Sequence, residues 1–281
     1  MDRIDLLMLM HEARARPFAG HALVLGADDG EGGGEIDRLA QTAGLTLAPS
    51  GSMWHRLGFE RVATGGELQR GRALSFEDAD IPADLAGAYD TVLDLGHAPR
   101  RFHMPHVMAN LCRMVKLGGR VIHVAPSCNH VDRAYYMMSP TYYADFYAAN
   151  GFFIETLSVI RCPNSGSIDV LAYAAGRLAP ISHGGLDGAP YRILCVARKT
   201  ADSRADAAPQ QGSYVAAWQE APIGEAKPGA ARTSPLRALW HRLRDVRPIY
   251  RVVHTVLTPA KRRRLMAACL PRVARYESPA D

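Results

Sequence analysis

The sequence predicts an α/β domain built on a mostly parallel sheet and followed by a basic helical appendage. Three observations carry that expectation. The first is the stretch from Tyr89 to Asn129: Thr91 to Leu95 is a short apolar run closed by Gly96, Met104 to Val115 repeats apolar residues at helical spacing, and Val121 to Ala125 is apolar again. A strand, a helix and a strand in so short a span form one βαβ unit. Its right-handed crossover sets parallel strands side by side and opens a ligand crevice at their carboxyl ends. The second is the glycine-rich turn ADDGEGGG, directly after the apolar run His21 to Gly26. The third is a break in composition after Lys199, beyond which the chain becomes rich in Ala, Gly, Pro and then Arg.

With 281 residues and 48% hydrophobic content the chain can bury a large core. Its five cysteines are scattered with no CxxC pair, so neither a disulfide framework nor a zinc site is expected. The first residues, MDRIDLLMLMHEARARPF, carry acids too early for a signal peptide, and no window holds 18 uninterrupted apolar residues, so the expectation is a cytoplasmic protein. The net charge of +5 is uneven. Twelve basic and three acidic residues follow Ala231, giving +9 there and leaving −4 for residues 1–231.

In chain order, Ile4 to Ala15 reads as an amphipathic helix, His21 to Gly26 as the first strand, and the residues from Glu35 as the helix after the glycine turn. Such a turn lets a ligand approach the backbone closely, and Asp28 and Asp29 within it would repel a pyrophosphate. A second strand is expected at Phe59 to Ala63 and a third at Ala73 to Phe76. The fourth strand, Thr91 to Leu95, leads into the helix Met104 to Val115, which Lys116, Gly118 and Gly119 end, and then into the fifth. Ser139 and Pro140 read as N-cap and first residue of a helix running to Asn150. Gly151 to Arg161 and Tyr191 to Arg198 form an expected antiparallel pair, and between them Val170 to Ala174 is either another strand or part of an insertion. Residues 200–234 read as a linker and 235–281 as basic helices, leaving 1–199 as the main domain.

YDTVLDLG, followed by a helix ending NLCRMVKLGGRVIHVAP, resembles the fourth strand, helix and fifth strand of class I S-adenosylmethionine-dependent methyltransferases. The block VAPSCNHVDRAYYMMSPTYYADFYAANGF further resembles a bacterial group of such domains met in glycan-assembly gene neighbourhoods. The resemblance spans roughly Ala22 to Lys199. It implies a Rossmann-like, seven-stranded sheet with an antiparallel last strand, S-adenosylmethionine as cofactor, and methyl transfer, as O-methylation, to a small-molecule or carbohydrate acceptor. On the cofactor side it points to Gly26, Asp28 and Gly30 in the first turn, to Gly96, and to Asp78 beside the adenine. No acid directly ends the second strand, so either Glu67 reaches back to the ribose or that contact is lost. His97, His103 and His130 are the candidate bases, because imidazole titrates near neutral pH. Asn129, Asp132 and Tyr136 are the acceptor-side candidates. Pro99-Arg100 stands where the group has Glu-His, and Arg133 replaces a family histidine.

No nucleophile elbow, metal-ligand cluster or P-loop is present, and the G-x-G-x-x-G spacing of a nicotinamide site is absent. The alternative expectation from a different class is a non-catalytic domain of this fold acting as a scaffold through its basic helices. Those helices either pack on the domain, meet an acidic protein, or lie on an anionic membrane surface; no nucleic-acid recognition motif accompanies the charge.

Overall fold

The computed structural model describes residues 1–26, 33–70, 74–164, 166–176, 178, 186–212 and 258–277. Its main unit comprises residues 1–175, 188–210 and 272–281. The strands are β1 (His21–Leu25), β2 (Arg61–Thr64), β3 (Tyr89–Asp94), β4 (Val115–Pro126), β5 (Phe153–Arg161), β6 (Ser167–Ala172), β7 (Tyr191–Arg198) and β8 (Arg272–Glu277). They form one eight-stranded sheet in the order β2-β1-β3-β4-β7-β5-β6-β8. The β2, β1, β3 and β4 neighbours are parallel, whereas β7 lies antiparallel between β4 and β5, and β6 and β8 continue antiparallel pairing to the edge.

The central strands are apolar throughout because helices cover both faces. On one side α1 (Arg3–Ala15) and α2 (Gly33–Ala43) share a core with Val24, Leu93, Ile122 and Val196. On the other, α5 (Met104–Met114) packs on β3 and β4, and α6 (Pro140–Ala149) on β5 and β7. Two short helices, α3 (Met53–Arg56) and α4 (Gly65–Gln69), flank β2. Local chemistry explains the starts: Asp2 and Asp5 form a reciprocal capping box on α1, and the Ser139 hydroxyl accepts from Thr141 N with Pro140 in the first turn of α6. Glu12 of α1, 1% exposed, accepts two N–H groups of Arg16 at 2.6 and 2.8 Å and faces Arg120 of β4 at 3.4 Å, which neutralises its buried charge.

Three expectations change. Leu74 to Phe76 is not a strand: Ser75 N donates to the Asp78 carboxylate and Asp78 N to Ser75 O, closing a turn, while Asn110 of α5 donates to the Phe76 and Asp78 carbonyls. Among the described residues the sheet has eight strands rather than seven: β7 enters antiparallel between β4 and β5, which therefore run in the same direction as β1 to β3, and β6 and β8 extend the sheet beyond β5. Finally, Arg272–Glu277, counted in sequence with the basic C-terminal segment, is an edge strand of the main sheet. Arg272 and Arg275 both pair with Asp169 of β6, and the Tyr276 hydroxyl meets His11 Nδ1 at 2.6 Å.

A second unit comprises residues 176–187 and 211–271, and its described helix is Thr258–Cys269. The expected helices at 235–244 and 249–257 lie outside the described residues.

Candidate active site

The carboxyl ends of β1 to β4 lie on one edge of the sheet, bordered by the loop after β3 (residues 95–103) and the loop after β4 (residues 127–139). Asp94, the last residue of β3, organises the first loop. Its Oδ1 accepts from His97 N at 2.7 Å and Ala98 N at 3.0 Å, and its Oδ2 accepts from His123 Nδ1 at 2.7 Å. His123 Nε2 in turn shares a 2.5 Å hydrogen bond with the Tyr147 hydroxyl of α6. Burial opposes ionisation of Asp94, but the His123 hydrogen bond and charge and the Ala98 N–H outweigh it and hold the carboxyl below its usual range. Asp94 and His123 are both 0% exposed, so this chain of polar groups positions the loop and touches no solvent.

The glycines divide into two kinds. Gly26 ends β1 with φ +82°, and a Cβ there would stand 2.5 Å from the Leu95 carbonyl oxygen. Its missing side chain therefore lets the β1 and β3 ends approach each other and leaves no gap for a ligand. Gly96 is buried with φ +72°, and a Cβ there would stand 3.8 Å from Pro126 and Val124, an ordinary contact that the neighbours tolerate.

The remaining sequence-predicted residues fall in different places. Asp28 and Gly30 lie outside the described residues. Glu67 does reach back, but to the chain itself: its Oε2 accepts from Thr64 N at 2.8 Å in a capping box at the start of α4, at the carboxyl end of β2. That backbone hydrogen bond lowers its pKa, and the side chain stays exposed. Asp78 holds the turn described above and sits along α5; its neighbour Glu77 reaches the edge loop instead, accepting from His103 N at 3.0 Å.

His97 lies against Phe76 edge to face at 5.5 Å, and its Nε2 accepts from Arg101 Nε at 3.2 Å. Burial, despite the opposing Asp94 charge, lowers its pKa. That nitrogen is occupied, so His97 does not fit the role of proton acceptor through Nε2. His103 is exposed at the start of α5 and stacks on His106. His130 lies away from both, near Arg192 and Asp2; its Nε2 is buried without a hydrogen-bond partner, and burial followed by the Arg192 and Arg133 charges lowers its pKa.

On the acceptor side, Asn129 Nδ2 donates to Ala189 O at 2.7 Å, and both Asn129 and Asp132 adopt φ +64°. Tyr136 ties the two loops together: its N–H donates to Pro99 O at 3.1 Å and its hydroxyl to Phe102 O at 2.7 Å. The structure thus brings Gly96, His97, His103 and Tyr136 to one edge, with Glu67 at the neighbouring β2 end. Sequence reasoning missed His123, although a lone histidine inside the apolar run VIHVA, in register with Asp94, was the available signal.

A hollow of about 390 Å³ lies at the opposite, amino-terminal edge, between Cys112, Arg113, Lys199 and Arg204. There Lys199 Nζ donates to the Cys112 and Val115 carbonyls at 2.8 and 2.9 Å, closing the end of α5. Among the described residues no group of three or more His, Cys, Asp or Glu side chains could hold a metal ion, and no helix is long and apolar enough to cross a membrane.

No model of a known protein family and no curated protein matches the chain. Solved structures give loose likenesses. The YcgJ protein from Bacillus subtilis is 14% identical, over 69% of this chain and 98% of that one, with a TM-score of 0.39. The N-methyltransferase NodS from Bradyrhizobium japonicum, in complex with S-adenosyl-L-homocysteine, is 12% identical over 70% and 85%, with a TM-score of 0.38. The 1,6-didemethyltoxoflavin-N1-methyltransferase from Burkholderia thailandensis is 16% identical over 70% and 78%, with a TM-score of 0.37. At TM-scores this low no residue of this chain takes a role from them.

Proposed function

We propose that this chain binds S-adenosylmethionine at the carboxyl edge of β1 to β4 and transfers its methyl group to a small-molecule acceptor, with a carbohydrate hydroxyl as the acceptor class that the sequence resemblance favours. The observation that carries the reading is topological. The crevice-forming parallel strands are followed by β7, which enters antiparallel between β4 and β5, and the sequence resemblance implies an antiparallel last strand of this kind.

The residues present fit such a cofactor. Gly96 turns the chain at the end of β3 with a positive φ, and Glu67 stands at the end of β2 with Oε2 engaged and its side chain exposed to accept a ribose hydroxyl. When bound, the cofactor supplies an already activated sulfonium methyl. The protein then has to align the acceptor and exclude water, and for an oxygen acceptor take one proton. With His97 Nε2 occupied, His103 is the edge histidine left for that proton. Isothermal titration with S-adenosylhomocysteine tests the reading: saturable one-to-one heat supports it, and no heat at millimolar ligand overturns it.

One observation favours a second reading, a non-catalytic domain of the same fold. Asp78 and His97 both use polar atoms on the chain itself. Absent cofactor binding in the same titration would favour this scaffold reading.

A further inference from the structure

Seven large hydrophobic side chains stand exposed among the described residues, and four of them fall on the two loops at the carboxyl edge. Phe102 (66% exposed) lies on the loop after β3; Val131 (82%), Tyr135 (73%) and Met137 (40%) lie on the loop after β4. Phe102 and Tyr135 meet edge to face with centroids 6.1 Å apart, and the two Tyr136 hydrogen bonds fasten one loop to the other. Apolar groups are therefore presented on a braced platform. Arg100 and Arg133 stand exposed on the same loops, and among the described residues neither has an acidic partner; Arg101 faces Glu77 only at 4.0 Å, and Asp132 is the other acid there.

We propose that these two loops form a docking surface for an anionic lipid bilayer. The side chains are exposed to solvent on the two loops, which suits insertion into an interface better than enclosure of a small ligand. Aromatic and aliphatic tips flanked by arginines match the acyl boundary and the phosphate layer respectively. Peripheral binding of this kind needs two signals to be stable, and the chain has a second: the +9 segment after Ala231 adds electrostatic attraction to the same class of surface. The surface does not depend on the chemistry at the crevice. If the methyl-transfer reading also holds, the acceptor is an amphiphile presented from the bilayer, and that clause rests on the reading.

The test is flotation of the full chain with phosphatidylcholine vesicles prepared with and without phosphatidylglycerol. Binding is expected only with phosphatidylglycerol, and a Phe102→Ser, Val131→Ser, Tyr135→Ser combination should weaken it at least tenfold while circular dichroism stays unchanged. A bimane label on Val131→Cys, in a Cys128→Ser background, should shift to the blue on the same vesicles. The proposal is overturned if the triple variant binds as the wild type does, which would assign vesicle binding to the basic segment alone. It is equally overturned if the wild type does not float; stoichiometric cross-linking of a protein through position 131 would then make the patch a protein interface. S-adenosylhomocysteine titration of the triple variant reads the crevice separately, so failure of the surface and failure of the methyl-transfer reading are distinguishable.

Discussion

Asp94 and His123 occupy matched positions on β3 and β4 and share a 2.7 Å hydrogen bond with both side chains fully buried. The pair joins two layers of the molecule. On one side it holds the backbone of His97 and Ala98, and on the other it reaches Tyr147 of α6.

Breaking that pair leaves His123 without its acceptor. Asp94→Ala should destabilise the domain by about 3–5 kcal/mol, whereas Tyr147→Phe, which removes one neutral hydroxyl and leaves the buried His123 Nε2 unpaired, should cost about 1–3 kcal/mol; urea denaturation measures both. The sign of the pH effect follows from the depressed Asp94 pKa. Its contribution is present above the ordinary 3.8 and lost as pH falls through the lower folded value, so the acid limb of stability against pH should flatten in Asp94→Ala.

Gly26 and Gly96 should fail differently when altered. At Gly26 a methyl group would meet the Leu95 carbonyl oxygen, so Gly26→Ala should lower the melting temperature sharply and reduce soluble yield. At Gly96 only the positive φ is penalised, at about 1–2 kcal/mol. Gly96→Ala should therefore fold and show weakened S-adenosylhomocysteine binding in calorimetry.

Asp5 gives an opposite pH signature. Burial, then the nearby Asp2 charge, push its pKa from 3.8 to about 6 despite Arg192. A raised carboxyl pKa contributes stability that is complete below 3.8 and lost as pH rises through about 6. Asp5→Asn should thus gain stability relative to the wild type between those values, in denaturation curves taken across the range. Asp2, whose pKa is lowered, titrates below this window.

Much of the fold was legible because its signals are local. The apolar runs at His21, Tyr89, Val121 and Tyr191, and the Ser139-Pro140 start of α6, each specify their element with few residues. The third strand was misread because Ser75 and Asp78 satisfy the backbone in a turn, and a short apolar run does not reveal that. β8 was invisible because Arg272–Glu277 is an exposed, basic edge strand. What recruits it is the distant Asp169, together with His11. At the candidate site, glycine positions could be read but not the direction in which each faces. The polar partner of Asp94 lay hidden in an apolar strand, since register across a sheet is a tertiary fact.

The central claim is that the ligand crevice lies at the carboxyl ends of β1 to β4. Backbone amide NMR shifts on titration with S-adenosylhomocysteine test it most directly. The account predicts saturable shifts centred on Thr64 to Glu67 and on Gly96 to Ala98. Shifts centred instead on the hollow at Arg113, Lys199 and Arg204, or none at saturating ligand, would contradict it.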